Sequence, residues 1–167
     1  AINAKDNQVW TLPTGWTKFV ESNNTTGQRV TLAWKRAVAG DSGATFVPTV
    51  PTDNNITYAG MISAWSGCIK TGSPIDATAP TVDPAAVAAD SIDYTDFDPA
   101  QVAAWIVAIG FYNDDLTTAG SISGTDPSFS NNWDLESNTG TDTSIFGYSG
   151  SSSGAATGAR AHTTTSM

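Results

Sequence analysis

The chain has 167 residues, a formal net charge of −9 and a 40% hydrophobic share, and threonine and serine make up about a quarter of it. That length carries a core without disulfide staples, and the apolar fraction excludes a disordered tail. With 7 basic residues against 16 acidic ones, general binding to a phosphate backbone is excluded, because too few cations are present to displace condensed counterions.

In chain order, residues 1–9 are polar and 13–15 read as a turn. Residues 16–22 read as a strand. After a turn at 23–27, residues 28–37 alternate, with Val30, Leu32 and Trp34 on one side and Thr31, Ala33 and Lys35 on the other. A turn at 40–43 precedes a short strand at 45–50, which stops at Pro51, and a further turn follows at 51–55. Residues 58–69 predict one long strand with a bulge near Gly67. A turn at 72–74 leads to an Ala-rich stretch, 84–89, which allows one or two helical turns capped by Asp83. Residues 104–112 are apolar on both sides, which predicts a central strand covered on each face. A turn follows at 113–115, and the pattern around Glu136 is ambiguous. Residues 143–149 carry Ile145, Phe146 and Tyr148 and read as a strand. Residues 149–154 form a Ser/Gly hairpin loop, and 159–165 read as a last, weakly alternating strand. Short strands between turns, with no sustained helical spacing, predict an all-β antiparallel β-sandwich occupying 1–167 as a single domain.

Charge is uneven. Residues 1–37 hold five basic and two acidic groups, and 38–167 hold two basic and 14 acidic groups. The plain reading is solvated acidic loops; the sharper one is cation binding or complementary docking between subunits. The longest apolar stretch, 102–112, is too short to span a bilayer. Cys68, the single cysteine, reads first as a buried thiol in an apolar strand and second as half of a disulfide to another chain. Sequons at Asn23, Asn24 and Asn55 are what an Asn- and Thr-rich chain produces by chance.

Catalytic patterns are missing. His162 is the only histidine, no Gly-x-Ser-x-Gly elbow or phosphate-binding loop occurs, and one His with one Cys does not make a zinc site. Asp93, Asp96 and Asp98 cluster in one acidic stretch, and Asp126, Asp134, Glu136 and Asp142 flank another. Oxygen-rich loops of this kind are either solvated or hold Ca²⁺, which takes six to eight oxygens. Paired carboxylates for glycoside cleavage are a weaker fit. Of the six tryptophans, Trp34 and Trp105 read as core. Trp133, beside Asn131, Asn132 and Asp134, reads either as a lid on the core or as a sugar-stacking residue in a polar loop. Tyr94, Phe97 and Tyr112 are lesser candidates of the same kind.

Several segments read together. Pro13-Thr14-Gly15-Trp16-Thr17 resembles the P-x-GWT opening of a jelly-roll-like β-sandwich domain family of bacteriophage tail-fibre and virion-associated proteins. Val30-Thr31-Leu32-Ala33-Trp34-Lys35-Arg36-Ala37 is similar to that family's W-x-K-x-A strand. Trp65-Ser66-Gly67 stands where the family has Tyr-x-Gly, and Ser73-Pro74-Ile75-Asp76 matches its t-P-i-D turn. Residues 104–109 fit the buried strand that follows. The resemblance covers most of 12–112 and implies a jelly-roll-like sandwich with no catalytic residues. The expected role is a non-enzymatic structural protein of a virion: a tail-fibre, tail-associated or capsid-decoration domain, homo-oligomeric and bound to other virion subunits. Two alternatives stand beside it. One is a secreted carbohydrate-binding module; the other is a subunit of an extracellular filament assembled by strand exchange. Family members open and close on apolar strands, whereas residues 1–9 and 163–167 are polar here. Either flanking sequence is missing, or the outer strands are unusually polar, or a neighbouring chain supplies a strand.

Overall fold

A computed structural model of the chain describes residues 2–4, 9–23, 27–49, 58–75, 91–94, 104–112, 121–122, 130–136, 144–153 and 160–163. They contain ten strands, one 3₁₀ turn and no α-helix, so the chain is all-β as its turn-rich sequence predicts.

Strands β1 (Ile2–Ala4), β2 (Thr17–Asn23), β3 (Arg29–Trp34) and β4 (Tyr58–Gly60) form one antiparallel sheet in the order β2-β3-β1-β4. The polar opening of the chain is therefore not a loose lead. Its β1 fills the slot between β3 and β4, pairing Ile2 with Thr31 on one side and with Gly60 on the other. Ile2 and Ala4 are buried there. Two apolar positions a pleat apart suffice to hold a strand whose remaining residues are polar.

Strands β2 and β3 make a hairpin across residues 24–28, with Gly27 at φ +89°. Phe19 is the extra residue in a register shift between Lys18 and Val20, a β-bulge that re-phases the strand. Ahead of β2, the Trp16 amide donates to the Pro13 carbonyl at 3.3 Å with Gly15 at φ +89°. A type II turn needs this positive φ at its third residue, which is why a glycine stands there.

Directly opposed residues share a face, so Ile2, Thr31 and Glu21 lie on one side of the sheet and Val20 and Leu32 on the other. The core cluster of Ile2, Ala4 and Trp10, with Leu12 and Phe46 against it, sits on the Thr31 side. Val20 and Ala59 are buried on the opposite side. The alternation in 28–37 is present, but its fully buried member is Thr31, and Trp34 is only half-buried, with the Arg36 guanidinium 5.8 Å from its ring centroid.

Strands β6 (Trp105–Tyr112), β8 (Ser130–Glu136) and β9 (Ser144–Ser151) form a second sheet in the order β6-β9-β8. The expectation of a doubly covered central strand at 104–112 is corrected here. The central strand is β9, buried at Ile145 and from Gly147 through Gly150, whereas β6 lies at the sheet's end with Trp105 and Val107 exposed. Small residues explain the exchange. Gly147, Ser149 and Gly150 let neighbours close over β9 from both sides, although their low hydropathy hides them in the sequence. The expected hairpin loop at 149–154 instead continues β9 to Ser151, and the Ser152 amide then donates to the Ala104 carbonyl at 2.8 Å.

Strands β5 (Ser91–Tyr94), β7 (Ser121–Ile122) and β10 (Arg160–Thr163) form a third antiparallel sheet with β10 in the middle. The last strand expected at 159–165 is thus present. Strand β4 also meets β9, a contact between the first and second sheets.

Three further expectations are corrected. Only Tyr58–Gly60 of the long strand expected at 58–69 is extended in a sheet, and 61–75 is irregular. Its Gly67 and Gly72 adopt φ +82° and +74°, which break a ladder. Cys68 lies in this irregular stretch and is exposed, not buried. The strand expected at 45–50 is reduced to one bridge, Thr11 with Thr49. The Ala-rich stretch 84–89 lies outside the described residues.

Candidate functional site

A concavity among the described residues lies beside β4. Two backbone hydrogen bonds, Thr11 amide to Thr49 carbonyl at 3.1 Å and Thr49 amide to Thr11 carbonyl at 2.9 Å, hold 46–49 alongside 9–12. That bridge brings Phe46 and Pro48 next to Trp10. Across from them stand Tyr58 and Gly60 of β4 with Met61 and Ile62, and Ile2 is at the base. Together these residues line a cleft of about 370 Å³.

Aromatic contacts fix its walls. Trp10 and Tyr58 meet edge to face with centroids 5.4 Å apart, and Trp16 braces Phe46 from behind at 4.8 Å. Such pairs contribute about 0.5–1.5 kcal/mol beyond the area they bury. Trp10 is 2% exposed, and its indole N–H finds no acceptor among the described residues. Tyr58 and Ile62, by contrast, are 56% and 63% exposed. The cleft therefore has a rigid aromatic floor and an open apolar rim.

Charge does not converge on this cleft. Among the described residues, the cations of the first third are engaged within the chain. Lys18 and Arg29 both pair with Glu21, at 2.8 and 3.3 Å. Lys35 pairs with Asp41, whose other oxygen accepts the Val38 amide at 2.8 Å and closes the 3₁₀ turn Ala39–Asp41. Arg36 donates to the carbonyls of Ile69 and Gly72 and clamps the 61–75 segment. Four cations of residues 1–37 are thus bound within the chain. The hydrogen bond from Lys18 lowers the Glu21 pKa below 4.5 against a smaller upward push from burial. Lys35 first, and then the Val38 amide, lower that of Asp41 below 3.8.

The residues singled out in the sequence fall elsewhere. Asn131, Asn132, Trp133 and Asp134 lie in β8, a strand and not the expected loop, with a register shift that makes Asn132 the extra residue. Trp133 takes the register position opposite Gly147, in a row that continues to Ile109. Glu136 ends the same strand. Asp93 and Tyr94 lie in β5, where Asp93 pairs with Ala161, and Tyr112 ends β6. Asp96, Phe97, Asp98, Asp126 and Asp142 lie outside the described residues. Among the described residues no group of three His, Cys, Asp or Glu side chains is placed to hold a metal, and no helix is long and apolar enough to cross a membrane.

Sequence reasoning passed over the cleft because its residues come from four separate stretches. Only the bridge between Thr11 and Thr49 and the slot taken by β1 bring them together. No family model, no curated protein and no solved structure matches the chain.

Proposed function

We propose that this chain is a non-enzymatic structural domain of a phage virion, from a tail fibre, a tail-associated protein or a capsid decoration. The proposed architecture is a jelly-roll-like sandwich, and the role is assembly with neighbouring subunits. The motif order from Pro13 to Ile109 supports the family, and the contact of β4 with β9 supports packed sheets. The observation that carries the assembly role is the apolar rim of the cleft. Tyr58 and Ile62 stand more than half exposed over a floor already filled by Trp10. A contiguous apolar rim of this kind on a soluble chain marks a contact surface. A partner subunit covers it by laying an apolar side chain against Ile62 and Tyr58, since no charged side chain lines the cleft among the described residues.

Mass spectrometry of purified phage particles, with negative-stain imaging of particles labelled by an antibody to the chain, tests the reading. The chain is expected in intact particles at a fixed copy number. Its absence from particles overturns the proposal. A glycan array run with and without a chelator tests whether any glycan contact depends on calcium.

A further inference from the structure

The contact of Trp65 with Trp105 joins two parts of the chain distant in sequence. Trp105 opens β6, and Trp65 lies in the irregular 61–75 segment that Arg36 holds in place. Their ring centroids are 5.7 Å apart and their planes meet at 52°, so the two indoles form an open corner and not a closed stack. Both remain accessible, at 42% and 56% exposure. The corner is braced. The Trp65 indole N–H donates to the Ser63 hydroxyl at 2.9 Å, which fixes that ring's orientation, and Trp105 is held in the β6–β9 ladder opposite Ser151.

Two large apolar rings kept at the surface in a fixed geometry cost solubility and give nothing to the core, so their exposure asks for a ligand. The surroundings say which class. Ser63 and Ser66 beside Trp65, and Ser151 across from Trp105, are exposed hydroxyl-bearing residues. Arg36, which clamps this segment, is committed to the carbonyls of Ile69 and Gly72, and Lys70 stands five residues beyond Trp65 on the same segment. The requirement is an uncharged ligand with one apolar face and a hydroxyl edge. A pyranose ring has this form. Its axial C–H groups carry partial positive charge and lie against the electron-rich face of an indole, and its equatorial hydroxyls reach the flanking serines. An apolar protein surface laid over the corner would bury those hydroxyls without partners, at a penalty.

We propose that Trp65 and Trp105 form a carbohydrate-binding corner for a neutral hexose or N-acetylhexosamine unit of a surface polysaccharide. The site is distinct from the cleft at β4 and from the β8 residues, and it stands whether or not the chain is assembled into a particle.

The test uses the full chain and four soluble probes, oligosaccharides of glucose, galactose, mannose and N-acetylglucosamine, with binding read by tryptophan fluorescence and calorimetry. At least one probe is expected to bind saturably, and Trp65→Ala or Trp105→Ala is expected to raise its Kd at least tenfold with the thermal midpoint unchanged. The conservative Trp105→Phe, which keeps a ring, retains most of the affinity. A second measurement avoids variants altogether. Saturating oligosaccharide protects Trp65 and Trp105 of the wild-type chain from N-bromosuccinimide oxidation, mapped by peptide mass spectrometry. No saturable binding to any of the four probes overturns the proposal. So does binding without protection of these two indoles, or an effect of the alanine variants on the oligomeric state alone.

Discussion

Gly15 shows how much one residue can fix. At φ +89° it completes the turn that aims Trp16 at Phe46, and a Cβ there would come within 3.2 Å of Lys35 Cε. Gly15→Ala is expected to cost about 1–2 kcal/mol through the left-handed backbone alone, read as a lower urea midpoint with unchanged slope. Trp10 is the complementary case. Trp10→Ala is expected to cost about 3–5 kcal/mol. Trp10→Phe should cost clearly less, because it keeps a ring against Tyr58 and removes a buried indole N–H that lacks an acceptor, a group whose desolvation costs about 1–3 kcal/mol. Glu21 and Asp41 contribute to the acid limb. Both folded-state pKa values are depressed, so the unfolded chain takes up protons first as the pH falls. The stability they add is present above their ordinary values of 4.5 and 3.8 and is lost as pH drops through the folded values. Glu21→Gln is expected to flatten the fall in urea midpoint below about pH 4.5, and only modestly, since exposed pairs contribute about 0–1 kcal/mol.

At the scale of elements, the strands most readable in the sequence were those whose neighbours differ in character. The hairpin of β2 and β3 was legible because polar turn residues separate two β-branched, aromatic runs. β1 was not, because its burial at Ile2 and Ala4 is created by β3 and β4 closing on either side. β6 misled for the opposite reason. Its run of apolar residues reads as doubly buried, yet two of them, Trp105 and Val107, face out where the sheet ends. The Trp133 group read as a polar loop because Ser and Asn outnumber its apolar residues, and only pairing with β9 makes it a strand. The position of β1 carries its own prediction. Asn3 lies in the middle of a strand paired on both sides, so Asn3→Pro removes a ladder donor and leaves a carbonyl unpaired, costing about 1–3 kcal/mol. Thermal unfolding followed at the Trp10 fluorescence should show the lower midpoint.

For the molecule as a whole, the described residues bury the aromatics Trp10 and Tyr148 and leave Tyr58, Ile62, Trp65 and Trp105 exposed. The all-β character was legible from composition and turn spacing alone. The cleft was not, since a bridge between residues 38 positions apart in sequence, Thr11 and Thr49, assembles it. Ile62 lies at its rim, 63% exposed, so replacing it leaves the core intact. Ile62→Asp is expected to change monomer stability by no more than about 0.5 kcal/mol while placing a charge where a partner subunit would lay an apolar side chain. The most direct measurement is the copy number of the chain per purified phage particle, by quantitative mass spectrometry, for the wild type and Ile62→Asp side by side. A fixed wild-type copy number that falls at least tenfold in the variant is the predicted result. Equal copy numbers for the two chains, or the wild type missing from particles, would contradict the proposed role.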